Sequence, residues 1–339
     1  MRWILLAVAL LATPAEASWT PISLSNEVTL RAVAVVDAKT FHVAGSKGTH
    51  AVTEDGGKTW RNLAPTDGAA LDFRGVATPG PRTTVLMSAG DGPAGQARIY
   101  RSSDAGKTWT LAFETKLPGS FLDAVAFRDA RRGFVLGDPI DGRWFLLTTS
   151  DGGRTWTRLE GAAVEKGEAA FAASNSALFV GPKKDVWIVS GGLAQGRVFR
   201  SRDDGKTWTV TETPIAGGST SGLFGGFAVG ARAVIVGGDY KDELRSGPNL
   251  ALTDGRTTTI PPNDGTPRLI EGVGRLDATT LLAVGPRGTS FSPDNGRTWH
   301  QSDTEALHAI SCLRKTCVAV GAKGKVAVWT PPGKLSSIE

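Results

Sequence analysis

The side chains that could do chemistry in this chain are acidic, basic and phenolic residues that the sequence pattern predicts in loops and at strand starts. Two carboxylates across a cleft can hydrolyse a glycosidic bond, one as acid and the other as base or nucleophile. A rim that mixes carboxylates, guanidinium groups and a phenol instead suits recognition of a polypeptide or polar ligand. The candidate residues are Arg31, Arg74, Asp123, Asp138, Glu168, Asp239, Tyr240 and Arg245.

Glycoside hydrolysis is the alternative function, with Asp138, Glu168 and Asp239 predicted to converge at one site. The sialidase form of this chemistry also needs an arginine triad and a tyrosine nucleophile activated by glutamate. The segment that usually carries the first arginine is absent, and of two tyrosines only Tyr240 has such a partner, in Glu243, so the sialidase form is not expected. No nucleophile elbow and no dinucleotide-binding glycine motif occurs. Binding or assembly is the leading interpretation, a structural protein without a dedicated site is the third, and no catalytic residue or cofactor is assigned.

A repeated motif defines the elements that must position these residues. The pattern Ser/Thr-x-Asp-x-Gly-x-Thr-Trp occurs five times, and a shorter copy at 252–257 lacks the Trp. We expect each Asp to accept hydrogen bonds from N–H groups two and three residues on, and the Trp to return the chain into apolar packing. The motif predicts a strand-turn-strand unit with a structural Asp. These residues are Asp55, Asp104, Asp151, Asp203 and Asp294.

The copies lie 40 to 52 residues apart, which is typical of four-stranded propeller blades. Alternating apolar residues bounded by glycine predict three strands before each turn. A seventh unit, 308–329, lacks its outer strand, has Pro331-Pro332-Gly333 in place of the turn, and is completed by Trp19 to Ile22. The prediction is an all-β, seven-bladed propeller over residues 18–339, built of four-stranded antiparallel blades and closed by the N-terminal strand.

The predicted binding face is the one opposite the repeated turns. Loops after the second strands are short at 45–48, 285–288 and 321–324 but long at 90–96, 137–143, 191–196 and 237–249. Binding residues concentrate on long loops over a rigid scaffold. The starts of the inner strands form a second layer of candidate binding residues near the axis. The alternative interpretation of these residues is a ring of mutually paired charges. For Asp138 and Asp239 the alternative is turn capping. The inner-strand starts are Arg31, Arg74, Asp123, Glu168, Glu271 and His308.

The turn motif resembles the Asp-box, or BNR repeat, of sialidases and related propellers, and such a repeat specifies fold rather than activity. The whole chain after residue 17 resembles the photosystem II stability and assembly factor family of seven-bladed propellers. That resemblance implies an exported propeller that holds a protein on one face. The segments that carry it are Gly137-Asp138-Pro139, Gly167-Glu168, 171–175, 197–201 and 237–240.

The N-terminus has the features of a signal peptide. Arg2 precedes an apolar run over 3–12, and Ala15-Glu16-Ala17 is a small-residue cleavage site. We expect a soluble protein that starts near Ser18, is exported to the periplasm or secreted, and has no transmembrane anchor. Cys312 and Cys317 flank a predicted hairpin loop, and an oxidising compartment favours a disulfide between them.

Charge and metal-ligand content exclude other classes of partner. The net charge is +5, but basic residues of the turn motif recur once per blade instead of clustering on one face, so nucleic-acid binding is not expected. Two thiols and four scattered histidines provide no metal site. We expect a monomer with a protein or peptide partner.

Overall fold

The computed structural model describes residues 18–330, except residues 25, 26, 264, 266 and 267. Its strands form seven antiparallel sheets of four strands each, so the predicted seven-bladed propeller is confirmed. The predicted signal segment, 1–17, and the Pro331-Pro332-Gly333 turn lie outside the described residues.

The first four blades follow the chain, with strands numbered from the inside outward. Blade 1 contains β2 (Leu30–Val35), β3 (Phe41–Gly45), β4 (Thr49–Thr53) and β5 (Arg61–Asn62). Blade 2 contains β6 (Asp72–Gly80), β7 (Thr83–Ala89), β8 (Arg98–Ser102) and β9 (Thr110–Glu114). Blade 3 contains β10 (Leu122–Phe127), β11 (Gly133–Ile140), β12 (Arg143–Thr149) and β13 (Thr157–Ala163). Blade 4 contains β14 (Leu178–Val180), β15 (Val186–Val189), β16 (Gln195–Ser201) and β17 (Thr209–Ala216).

The remaining blades repeat this order. Blade 5 contains β18 (Ser221–Val229), β19 (Arg232–Asp239), β20 (Leu250–Thr253) and β21 (Thr258–Thr259). Blade 6 contains β22 (Gly272–Arg275), β23 (Leu281–Gly285), β24 (Gly288–Ser292) and β25 (His300–Asp303). Blade 7 contains β26 (Ala309–Leu313), β27 (Thr316–Val320), β28 (Val326–Thr330) and, on the outside, β1 (Ser18–Pro21).

The N-terminal strand closes the ring as predicted. β1 pairs antiparallel with β28, with Trp19 opposite Trp329. The two indole rings meet edge to face with centroids 5.1 Å apart, and Trp19 Nε1 donates to Thr289 Oγ1 of blade 6 at 2.8 Å. Because both tryptophans are buried, this strand contributes apolar packing as well as ladder hydrogen bonds.

A disulfide joins Cys312 and Cys317, which lie opposite each other on β26 and β27. It packs against the cluster of apolar residues between blades 6 and 7 that includes Trp19 and Trp329. The last blade, whose strands come from both ends of the chain, therefore has a covalent link within its inner hairpin.

The repeated turns are tied by their own side chains. In the first copy Asp55 accepts from the Thr53 hydroxyl at 2.8 Å, from Thr59 N at 2.9 Å and from the Thr59 hydroxyl at 2.6 Å. Intact copies thus reach the N–H four residues on, and in some copies also the third, rather than the second and third as expected. The shortened copy keeps the expected spacing, because Asp254 accepts from the N–H groups of Arg256 and Thr257.

The core lies between adjacent blades. Buried apolar side chains from facing sheets interdigitate, and the largest of them include Trp144 and Trp187 at the blade 3–blade 4 and blade 4–blade 5 boundaries. Such packing makes the ring a rigid support, so the inner-strand starts have defined positions around the axis.

Candidate functional site in the central channel

Four inner strands have a β-bulge close to the mouth of the channel. The register with the second strand shifts by one residue at the start of β2, β6, β10 and β18. A bulge leaves one residue unpaired and redirects its side chain. The redirected residues are Arg31, Arg74, Asp123 and Phe224.

Blades 6 and 7 place the residue before the inner strand at the same level. The N–H groups of Glu271 and His308 donate to Val284 and Val320 of the second strands, at 2.8 and 2.7 Å. Six blades therefore direct one side chain each toward the axis, and all six side chains line a single cavity.

Blade 4 is the exception, because its chain crosses the channel before β14 begins. We call residues 170–176 the central segment. Its carbonyl groups at Ala172 and Ala173 accept from the guanidinium groups of Arg74 and Arg31, at 3.2 and 3.4 Å. Farther along, Asn175 Oδ1 accepts from Val125 N of blade 3 at 2.8 Å.

The central segment divides the channel into two cavities. Residues 170–173 line the cavity on the long-loop face, and residues 174–176 line another on the turn face. Gly225 is needed for this crossing, since a Cβ there would lie 2.0 Å from Ser176 Oγ and 2.6 Å from the Glu271 carbonyl oxygen. The cavity on the long-loop face is therefore a pocket with a floor.

This pocket, which we call the central cavity, has a volume of about 440 Å³. One wall is aromatic: the rings of Phe171 and Phe224 stack with centroids 4.3 Å apart, and Tyr240 meets both edge to face. Leu269, Phe121 and Pro286 extend the apolar wall. Ala170, Ala172 and Ala173 of the central segment also line the cavity. The charged lining and the imidazole come from Arg31, Arg74, Asp123, Asp138, Glu243, Glu271 and His308.

The guanidinium groups of the cavity already face carboxylates. Arg31 Nη1 lies 3.6 Å from Glu271 Oε1, whose second oxygen is 2.5 Å from His308 Nδ1. Arg74 Nε donates to Asp72 Oδ2 at 2.8 Å. The interpretation of the inner-strand starts as a paired ring of charges holds for these groups.

Asp123 and Asp138 have no such partner among the described residues. Asp123 is 1% exposed, and its Oδ2 is buried without a hydrogen bond. Burial and the neighbouring charge of Asp138 raise the pKa of Asp123 well above its usual range, against the opposing effect of Arg74. Burial also raises the pKa of Asp138 to about 6, although Ala170 N donates to its Oδ1 at 3.3 Å.

The other predicted acidic residues lie outside the central cavity. Glu168 is not an inner-strand start, since β14 begins at Leu178. Its fully buried carboxylate receives hydrogen bonds from Arg197, including one from Nε at 2.9 Å, and from Ser190. Asp239 caps a turn, accepting from Thr220 Oγ1 at 2.8 Å and Lys241 N at 2.9 Å.

The predicted convergence of Asp138, Glu168 and Asp239 therefore does not describe this cavity, in which Asp138 alone of the three forms part of the wall. Arg245 lies beside Asp239, at 3.5 Å, and donates to Ser221 Oγ. Arg31, Arg74, Asp123, Asp138 and Tyr240 do come together.

Sequence reasoning missed the apolar half of the cavity. Phe224 occupies the bulge position of blade 5, where other blades have charged residues. Phe171 belongs to the central segment, whose composition of small residues has no strand periodicity. A signal for the segment did exist, because blade 4 has an unusually long stretch between its predicted inner-strand start at Glu168 and Gly191.

Comparison with known proteins gives a likeness of fold. No family model and no curated protein matches the chain. Two similar solved structures are YCF48 bound to D1 peptide and YCF48 from Cyanidioschyzon merolae, both at a TM-score of 0.66. Their identities are 16% and 18%, and the alignments cover 95% and 92% of this chain and 99% and 98% of theirs.

A glycosidase propeller is also similar. The GH74 xyloglucanase from Xanthomonas campestris aligns at a TM-score of 0.57 and 17% identity, over 89% of this chain but 43% of its own. At such identities these matches establish the shared propeller architecture and nothing about activity.

Among the residues that the structure describes, no helix has the length and apolar character of a bilayer span. In the same part of the chain, no group of three or more His, Cys, Asp or Glu side chains is arranged to hold a metal ion.

Proposed function

We propose that this protein is an exported binding module that holds a segment of a partner polypeptide in the central cavity. The observation that carries the proposal is the cavity itself: a pocket of about 440 Å³ with a closed floor, one aromatic wall and one charged wall. Aromatic side chains are the common anchors of polypeptide recognition, and charged groups select the partner. Tyr240, which is 46% exposed, is available for contact at the rim.

The fold supports a role like that of the photosystem II assembly factors. YCF48 has this architecture, and one of its structures contains a D1 peptide. For this chain the proposed role is to assist the assembly of a partner protein. The propeller would act as a monomer, and its repeated turns would be Asp-boxes. Residues 1–17 would act as the export signal, and the disulfide of blade 7 suits an oxidising compartment such as the periplasm.

The test is site-specific photo-crosslinking in the native host. A photoreactive phenylalanine analogue at Tyr240 should crosslink to one discrete polypeptide, identified by mass spectrometry. The same analogue at Lys107, which is exposed on the turn face, is the matched control and should give no such product. Equal crosslinking from both positions, or none from Tyr240, would reject the proposal.

Glycoside hydrolysis is the second candidate, favoured by one observation. Asp123 and Asp138 are neighbouring carboxyl groups of raised pKa, and a general acid of this chemistry needs a raised pKa. Reducing-sugar release from β-glucans and xyloglucan tests it directly. Release that is lost in Asp138→Asn would replace the binding function with a hydrolytic one.

A further inference from the structure

We propose that the central cavity binds a primary ammonium group carried on an apolar stem, with Asp123 and Asp138 as the anionic site. This inference rests on the proposed binding function and names its ligand chemistry. A lysine side chain or amino terminus of a partner polypeptide and a free amine share that chemistry, and the experiment below separates them.

Charge is distributed unevenly in the cavity. Four carboxylates line it against two guanidinium groups. Glu271 faces Arg31 and His308, and Glu243 pairs with Arg287 at 2.7 Å. Arg74 is held by Asp72, which leaves Asp123 and Asp138 outside every ion pair among the described residues. When Asp123 and Asp138 are ionised, no ion pair among the described residues balances their negative charge.

One carboxylate oxygen of Asp123 is buried without a hydrogen-bond partner among the described residues. Buried carboxylate oxygens normally accept at least one hydrogen bond, and an exception calls for an explanation. Oδ2 of Asp123 has no donor within the described part of the chain, while the residue lines the cavity. An ammonium group offers three donors without any acceptor, so one such group can serve both carboxylates.

The cavity also has an aromatic wall. Phe171, Phe224 and Tyr240 line it together with the two carboxylates. Ring faces attract a cation, and the methylene groups of an alkylammonium stem gain from burial against them. An anion would meet the same wall without this attraction.

The cavity lining differs in exposure between the rim and the acidic residues. Tyr240 is about half exposed at the rim, whereas Asp123 is almost completely buried. The central segment closes the far side. A ligand therefore enters end-on with its charged group first, as a lysine side chain or a small arylalkylamine can.

The experiment is calorimetric titration of the whole protein at pH 8 with three probes of one shape. Phenethylamine is the cation, 2-phenylethanol the neutral isostere and 3-phenylpropionate the anion. We expect phenethylamine to bind at least about tenfold more tightly than the alcohol, a ratio equivalent to one good charged contact. Equal affinities, preference for the anion, or no binding of the amine would overturn the proposal.

Variants locate the site. Asp123→Asn combined with Asp138→Asn should weaken phenethylamine binding at least about tenfold and leave 2-phenylethanol binding unchanged. Asp242→Asn, the same type of substitution at one exposed residue of the neighbouring loop, should leave both unchanged. Thermal melting verifies that each variant is folded. Retention of full amine affinity in the double variant would contradict the assignment.

Peptide probes separate the sources of the ammonium group from each other and this inference from the proposed function. A lysine-containing tripeptide amide with a blocked amino terminus should bind more tightly than its Nε-acetylated form if the source is a side chain. The tripeptide amide with a free amino terminus and an acetylated lysine tests whether the amino terminus is the source of the ammonium group. If Tyr240 of the wild-type protein crosslinks to a partner while the wild-type protein binds no amine, the ammonium site is rejected and the partner is kept.

Discussion

Aspartates of the repeated turns and those of the central cavity have opposite environments. On the turn face, hydrogen bonds from the Thr59 hydroxyl and N–H hold the pKa of Asp55 at about 2. In the central cavity, burial raises the pKa of Asp138 to about 6 and that of Asp123 well above its usual range. In the repeated turns the carboxylate has its acceptors occupied, whereas Oδ2 of Asp123 has no donor among the described residues.

The difference shows what each face does for the molecule. A carboxylate whose acceptors are all occupied by its own turn stabilises that turn and has little left for a ligand. A buried carboxylate without donors costs folding free energy, which is the usual condition of a functional site. We therefore assign structure to the turn face and binding to the cavity, and the following predictions test that division.

The largest effect is expected at a carboxylate of the long-loop face that does have a partner. Arg197→Met leaves the fully buried Glu168 carboxylate without its guanidinium, and loss of one member of a buried pair costs about 3–5 kcal/mol. Urea unfolding at pH 7 measures it. The double variant Arg197→Met/Glu168→Met should regain part of the lost stability. If Arg197→Met alone were as stable as wild type, the presence of an ion-pair partner would not explain the difference between Glu168 and the cavity aspartates.

Asp138→Asn should raise the free energy of unfolding at pH 8, whereas Arg197→Met should lower it. Because the folded-state pKa of about 6 lies above that of an unfolded aspartate, wild type loses stability as pH rises from about 4 through 6. One pKa unit corresponds to about 1.36 kcal/mol, so the loss in the free energy of unfolding is about 2–3 kcal/mol after allowance for screening by solvent. The variant should show a flatter stability profile and exceed wild type at pH 8. If the stabilities of wild type and variant changed in parallel from pH 4 to 8, the proposed difference between the cavity aspartates and the turn aspartates would be rejected.

Asp151→Ala tests the turn face. Its carboxylate accepts from Thr149 Oγ1, Arg154 N and Thr155, so we expect a loss of about 1–3 kcal/mol in the free energy of unfolding. Phenethylamine affinity, measured at a temperature where the variant is folded, should not change. Weaker binding at unchanged stability would mean that function had been placed on the wrong face.

The smallest effect is expected at an exposed ion pair. Glu54 Oε1 and Arg61 Nη2 lie 2.7 Å apart, but the two side chains are 58% and 47% exposed. Solvent screens such pairs, and Glu54→Gln should change stability by less than about 1 kcal/mol. A loss as large as that of Arg197→Met would show that burial is not what separates these cases.

The repeat made most of the fold predictable. The motif spacing of 40 to 52 residues and the Trp19 segment were sufficient to predict seven blades and their closure. Arg31 and Asp123 were placed correctly at the start of their inner strands, because regular blades keep a constant distance to the glycine that ends the second strand.

The cavity was only half predictable, and blade 4 is the reason. There the chain crosses the channel before its inner strand, so the position assigned to Glu168 by repeat spacing belongs to Leu178 instead. Asp138 and Asp239 both follow glycine-rich turns, yet Asp239 is satisfied by its own loop and Asp138 is not. Their local sequences do not distinguish the two.

The sequence by itself determined the blades, the turns and the pairing of the first strand with the last blade, since these depend on short-range hydrogen bonding and on a period that recurs along the chain. Tertiary structure alone decided which carboxylates lack a partner. Asp123, Arg31, Phe224 and the central segment come from four blades and meet only when the ring closes. The donors that satisfy or fail to satisfy a buried oxygen are set by that long-range packing.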